Sequence, residues 1–168
     1  GIISEADVAV VRALKDEGVL LKFDPKELNG SSKNGGVAVI CSDGDIDAPF
    51  FHAQLTHRPH CVRVFGGSLL FAPSFRGYNV SFTSLLVENL KDGMVFKDTK
   101  TLFLYFHAPC GVANKYQYGI KEQVALAAEA RKFFAADPFF VPAKILSLFH
   151  VKKMIDGKLE QNTYKIVA

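Results

Sequence analysis

The sequence predicts an α/β fold: a mostly parallel central β-sheet flanked by helices, with an antiparallel C-terminal edge hairpin. Three observations lead there. Short apolar runs of strand length alternate with segments whose apolar residues recur at helical spacing, the order expected of strand–helix–strand units. The runs Val37–Ile40 and Thr101–Phe106 are apolar almost throughout, as strands buried on both faces read. Near the end, Asp156-Gly157 sits between two strand-like segments, a two-residue hairpin signal.

Each element follows from its residues. Ser4 to Glu17 reads as an amphipathic helix: Ser4 caps it, Asp7 lies in the first turn, and Val8, Val11 and Leu14 share a face. Gly18 is its stop. Leu28 to Gly36, dense in Asn, Gly, Ser and Lys, is loop. Val37–Ile40 is the first buried strand, and Asp43-Gly44-Asp45 after it is turn chemistry. His60 to Phe65 suits a second strand, closed by Gly66-Gly67. Ser81 to Leu90 is helical, with Leu85, Leu86 and Leu90 assigned to one face. Thr101–Phe106 is the strongest strand signal. Ile120 to Phe134 is a helix carrying Val124, Ala127, Ala128 and Arg131 at helical spacing, and Pro138 and Pro142 end it. Ile145–Val151 and Thr163–Val167 flank the hairpin turn.

Composition bounds what such a chain does. Its 168 residues suit one domain, 1–168, with an N-terminal helical arm and loop at 1–36 and a core at 37–168. Hydrophobic residues make up 49% and charged ones 22%, the profile of a soluble globular protein. No run approaches ~18 consecutive apolar residues, so no membrane span is expected. Gly1-Ile2-Ile3-Ser4-Glu5 lacks a basic region before an apolar block. A cytoplasmic location is therefore expected, or an organelle after loss of a transit peptide. The net charge of +3 is spread over scattered basic residues, whereas about five phosphate contacts would need a cluster. Nucleic acid is not an expected partner. Three cysteines do not make a disulfide scaffold and read as reduced thiols: buried, reactive or bound to metal.

Where the thiols stand decides between those uses. In open parallel sheets ligands bind beyond the carboxyl ends of the strands. Cys41 follows the run Val37–Ile40, His107 follows Thr101–Phe106, and Cys110 comes three residues later. Two thiolates and an imidazole suit Zn²⁺, which favours tetrahedral sulfur and nitrogen ligands, and three protein ligands leave one position open. Asp43 could fill that position or stand beside it. A cysteine ending a buried strand also fits plain core filling, and a redox or nucleophilic role for Cys41 is a further alternative. Cys61 reads as a buried strand residue. His52, His57 and His60, irregularly spaced, read better as solvated surface histidines than as a second metal site. Phe50, Phe51, Phe65, Phe71 and Phe75 read as core or interface, and Asn114–Tyr118 as a segment that could line the site.

Cys41-Ser42-Asp43 followed by His107-Ala108-Pro109-Cys110-Gly111 resembles the zinc signature of the β-class carbonic anhydrases, C-S-D-S-R and then H-x-x-C-G. The resemblance extends from about Val37 to Leu159. Arg63-Val64-Phe65-Gly66-Gly67 stands where that family has a V-R-N-A-G-like strand end, with Val64 in place of the asparagine. Lys153 to Leu159 is similar to its D-x-x-x-G-x-L hairpin, with Lys153 in place of the aspartate.

The resemblance implies a zinc enzyme that reversibly hydrates CO2 to bicarbonate, assembled as a homodimer or higher homo-oligomer with its cleft near the subunit interface. It also implies a catalytic aspartate, Asp43, which in the family is held off the metal by an arginine two residues later. Here that position is Asp45, and two carboxylates cannot form that ion pair. Asp43 is therefore predicted to ligate zinc as a fourth ligand, unless a guanidinium from elsewhere, such as Arg63 or Arg76, substitutes. CO2 hydration is then expected to be weak, with carbonyl sulfide or carbon disulfide as related linear substrates. The alternative is a non-catalytic homologue whose closed site of Cys41, Asp43, His107 and Cys110 serves structure or assembly.

Overall fold

The computed structural model describes residues 1–24, 34–43 and 59–167. Helix α1 (Glu5–Asp16) begins at Ser4, whose side chain accepts the Asp7 N–H at 3.1 Å, and it buries Val11 and Leu14 as its periodicity requires. A three-residue strand, β1 (Leu20–Lys22), follows; nothing in so short a stretch marks it as a strand. Next come β2 (Val37–Cys41) and β3 (His60–Val64), then a 3₁₀ turn over Gly67–Phe71.

Helix α2 spans Val80–Phe96, capped by the Asn79 side chain, and runs further than predicted. Lys91-Asp92-Gly93 resembles a stop, but Met94 beyond it is buried in the core and carries the helix on by another turn. Leu86 and Leu90 are buried, whereas Leu85 is 60% exposed. A spacing of five residues falls well off the 3.6-residue repeat, so Leu85 does not share their face.

Strand β4 (Thr101–Ala108) is buried along its whole length and includes His107 as its penultimate residue. A short helix α3 (Gly111–Lys115) and the long helix α4 (Ile120–Ala135) follow. The chain ends in the expected hairpin of β5 (Lys144–Ile155) and β6 (Lys158–Ile166). Its turn residues Asp156 and Gly157 both take positive φ, +49° and +73°, as a two-residue turn of the type that matches strand twist needs.

The six strands form one sheet in the order β1-β6-β5-β4-β2-β3. The pairs β5–β4, β4–β2 and β2–β3 are parallel; β5–β6 and β6–β1 are antiparallel. This is the predicted architecture. One face packs Val37, Val39, Leu102, Leu104 and Phe149 against buried residues of α1, α2 and α4. The other carries a smaller cluster of Phe23, Ala38, Ile40, Phe103, Tyr105, Leu146 and Leu148. Alternation along buried strands explains both sets.

The topology also fixes where a site belongs. From β2 the chain passes to β3 on one side and returns to β4 on the other, so the connections diverge between β2 and β4. The β2–β4 ladder stops at Val39–Leu104, while β2 continues beside β3 to Cys41 and β4 beside β5 to Ala108. A crevice at the carboxyl ends of β2 and β4 is the consequence, and that is where open α/β sheets bind ligands. Among the described residues, no helix is long and apolar enough to cross a membrane.

Candidate metal centre

Cys41 is the last residue of β2, His107 lies near the end of β4, and Cys110 precedes α3 after a cis Ala108–Pro109 peptide bond. Alternation places Cys41 with the larger cluster, and His107 follows Phe103 and Tyr105 on the opposite face. They meet because the β2–β4 ladder has already ended, so side chains from both faces turn into the crevice. The two sulfurs and an imidazole nitrogen all lie within 4.8 Å of one another, and the three residues are only 2–3% exposed. The three side chains that the sequence singles out as candidate ligands stand together in the structure.

Two features of the group fit a cation at its centre. The His107 Nε2 atom is buried and has no hydrogen-bond partner. Such an orphan costs roughly 1–3 kcal/mol unless something satisfies it. One of the two thiols is also poised to lose its proton. The Cys41 thiol is pulled down to about 4, first by the Cys110 thiol held against it, with His107 and the Asp43 backbone N–H adding while burial opposes. The Cys110 thiol is pushed up, because it donates to Cys41 and is buried. The pair thus holds one proton in an S–H···S⁻ contact, and a divalent cation is the species that would displace it. Two sulfurs and one nitrogen match a borderline-soft metal.

Gly67 positions the first of these ligands. It sits at φ +49°, and a Cβ there would stand 2.7 Å from the Cys41 backbone nitrogen. The turn after β3 therefore presses directly on the end of β2, and Ser68 donates to the Val39 carbonyl at 3.3 Å. The Gly66-Gly67 pair, which the sequence marks as the end of a strand, forms this turn, with Gly66 also left-handed at φ +91°.

Asp43 accepts the Gly111 N–H at 3.3 Å through Oδ2, which ties the segment after β2 to the start of α3. The three-residue group does not include it. Asp45, His52, His57, Phe50 and Phe51 lie outside the described residues, and so does the Gly44-Asp45 part of the turn. Arg76 lies over the Tyr118 ring at 4.8 Å, with its backbone N–H donating to the Tyr118 hydroxyl, and Arg63 is exposed on β3. Tyr116 and Tyr118 pack on Phe75 with ring centroids 5.1 and 5.6 Å apart.

One expectation is corrected. Cys61 is exposed rather than buried, with Sγ 3.8 Å from the Pro59 carbonyl, because β3 is an edge strand open along one flank. Phe65, just beyond that strand, is 73% exposed, which leaves the interface alternative for it, and Phe71 and Phe75 are core residues. His60 is exposed at the start of β3, as a solvated histidine should be.

A polar row went unnoticed in the sequence. His150, only 8% exposed, is the register partner of His107 across β4–β5 and of Thr163 across β5–β6. Its Nδ1 is 2.9 Å from Thr163 Oγ1 and its Nε2 is 3.1 Å from Gln161 Oε1. A histidine inside an apolar run was the available signal.

No protein-family model and no curated protein matches the chain. Among solved structures it is similar to a carbonic anhydrase from Streptococcus mutans, at 13% identity and a TM-score of 0.44, over 96% of this chain and 99% of that one. It is also similar to a carbonic anhydrase from Glaciozyma antarctica, at 17% identity and a TM-score of 0.43, over 95% of each.

Proposed function

We propose that Cys41, His107 and Cys110 hold a zinc ion, and that the chain is a carbonic-anhydrase-like protein acting on CO2 or a related small linear electrophile. The observation that carries the reading is a His107 ring nitrogen within 4.8 Å of two thiol sulfurs at the switch-point crevice, with His107 Nε2 buried and without a hydrogen-bond partner among the described residues. The resemblance of Cys41-Ser42-Asp43 and His107 to Gly111 to the β-class signature supports zinc and the hydration chemistry. A zinc ion there would supply Lewis acidity, lowering the pKa of a water toward ~7. The chain's part is to keep the donors dry and aligned: Gly67 sets the end of β2, and α3 follows directly from Cys110. Asp43, anchored on the Gly111 N–H, stands where its second oxygen can accept a proton from an incoming nucleophile.

A second reading draws on position 45. With an aspartate where the family has its arginine, the family's ion pair cannot form, and Asp43 would instead turn onto the metal and close the site, giving a structural or assembly role. Stopped-flow CO2 hydration with zinc-loaded protein separates the two. The catalytic reading expects a measurable wild-type rate that rises in Asp45→Arg and falls in Asp43→Ala. A wild-type rate at background that appears only in Asp45→Arg favours the closed site, and purified protein without stoichiometric zinc overturns both.

A further inference from the structure

A second site lies at the opposite edge of the sheet, where β1 ends after only three residues and β6 runs on. A cleft of about 420 Å³ opens there, lined by Lys15, Lys22, Phe23 and residues 160–164 of β6. We propose that this cleft binds a small phosphate-bearing molecule, a phosphomonoester with an apolar group; the proposal does not rest on the metal reading.

Charge makes the first argument. Lys15 comes from the last turn of α1 and stands 5.6 Å above the Tyr164 ring, and Lys22 is the β1 register partner of Tyr164. Two lysines from separate elements thus line one cleft with Tyr164, and neither forms an ion pair among the described residues. The cleft's one carboxylate, Glu160, is engaged by Lys153 at 3.3 Å. The lining is therefore net cationic, with two point charges matched to a dianion. Ammonium groups recognise phosphate as point charges, whereas planar carboxylates are better met by a guanidinium fork, which the lining lacks.

Hydrogen bonding makes the second. The Gln161 carbonyl oxygen can only accept, so His150 Nε2 carries a hydrogen toward it, and in the neutral ring Nδ1 accepts from the Thr163 hydroxyl. The buried imidazole thereby orients the Gln161 amide with its oxygen inward, on the face of β6 opposite Tyr164, and Gln161 lines the cleft where β6 runs on past β1. Tyr164 donates to Asn162 Oδ1 at 3.1 Å, which fixes the neighbouring amide and holds the phenol ring beneath Lys15. Phe23 and the Tyr164 ring supply an apolar wall beside these donors.

The test uses the whole zinc-loaded chain and residue-resolved ¹H–¹⁵N NMR, with inorganic phosphate and phenyl phosphate as probes at fixed ionic strength. Saturable shifts are expected at residues 15, 22 and 160–164, with phenyl phosphate bound more tightly than inorganic phosphate. Lys15→Gln and Lys22→Gln should each weaken binding by about fivefold, while Lys121→Gln on α4 should leave it unchanged. All three positions are exposed, so the variants fold. Shifts centred on residues 107–111, unsaturable shifts, or affinity untouched in the Lys15/Lys22 double variant would overturn the site. Equal affinity for the two probes would overturn the phosphomonoester assignment.

Discussion

His107 and His150 are neighbours in one row of the sheet, both almost fully buried, yet only one of them lacks a partner. His150 has both ring nitrogens hydrogen-bonded to side chains of β6. His107, across the β4–β5 ladder, has Nε2 unmet beside two sulfurs. Burial therefore does not distinguish a structural histidine from a candidate ligand; satisfaction does. A histidine whose donors and acceptors close on themselves specifies strand register, and one left open toward thiols specifies a cation.

The comparison breaks first at the metal. His107→Ala should lower zinc affinity by more than about 100-fold, past the range typical of changes outside the ligand shell, whereas His150→Phe should leave zinc stoichiometric. Metal content after dialysis, read alongside thermal unfolding, checks both. Equal zinc loss in the two variants would erase the distinction.

A smaller effect should come from Gly67→Ala, which removes no candidate ligand side chain. The added Cβ meets the Cys41 backbone and occupies a left-handed conformation, so a loss of about 3 kcal/mol is expected, with weakened zinc binding. Gly157→Ala is the comparator: it shares positive φ, but nothing lies within 4 Å of its Cβ. Its cost should be about 1–2 kcal/mol with zinc binding intact. Denaturation of both variants isolates the clash from the conformational strain.

The legibility of these regions in the sequence differed for the same physical reason. Buried parallel strands announce themselves through unbroken apolar runs, and their ends located Cys41, His107 and Cys110 before any coordinates. The hairpin was legible because Asp156-Gly157 leaves few other turns. What failed to show was pairing: β1 exists because β6 offers an edge, Cys61 is exposed because β3 has a neighbour on only one side, and His150 is satisfied by residues thirteen and eleven positions away. Local pattern reports which face is buried. It does not report what stands opposite, and the Gly67 contact on Cys41 is of that kind.

Proton release sharpens the metal end further. The Cys41 thiol, drawn down to about 4, is already a thiolate at neutral pH, while the Cys110 thiol, pushed up, still carries its proton there. Zinc binding between roughly pH 7 and 8 should therefore expel about one proton from the thiol pair rather than two, and affinity should rise with pH. Calorimetry in buffers of different ionisation enthalpy reads the number directly. Release of two would mean that the S–H···S⁻ contact does not exist in the metal-free protein.

The smallest expected effect lies at the satisfied histidine. Thr163→Val removes the hydroxyl that meets His150 Nδ1, leaving that nitrogen buried and unpaired at a cost of about 1–2 kcal/mol. His150→Phe removes the other half, and the combined variant should lose less than the sum, because an apolar pair has nothing left to satisfy. A coupling of about 1 kcal/mol in urea denaturation is the expected signature. Strict additivity would mean the two side chains do not depend on each other, and the contrast between a closed histidine and an open one would then need another explanation than hydrogen-bond closure.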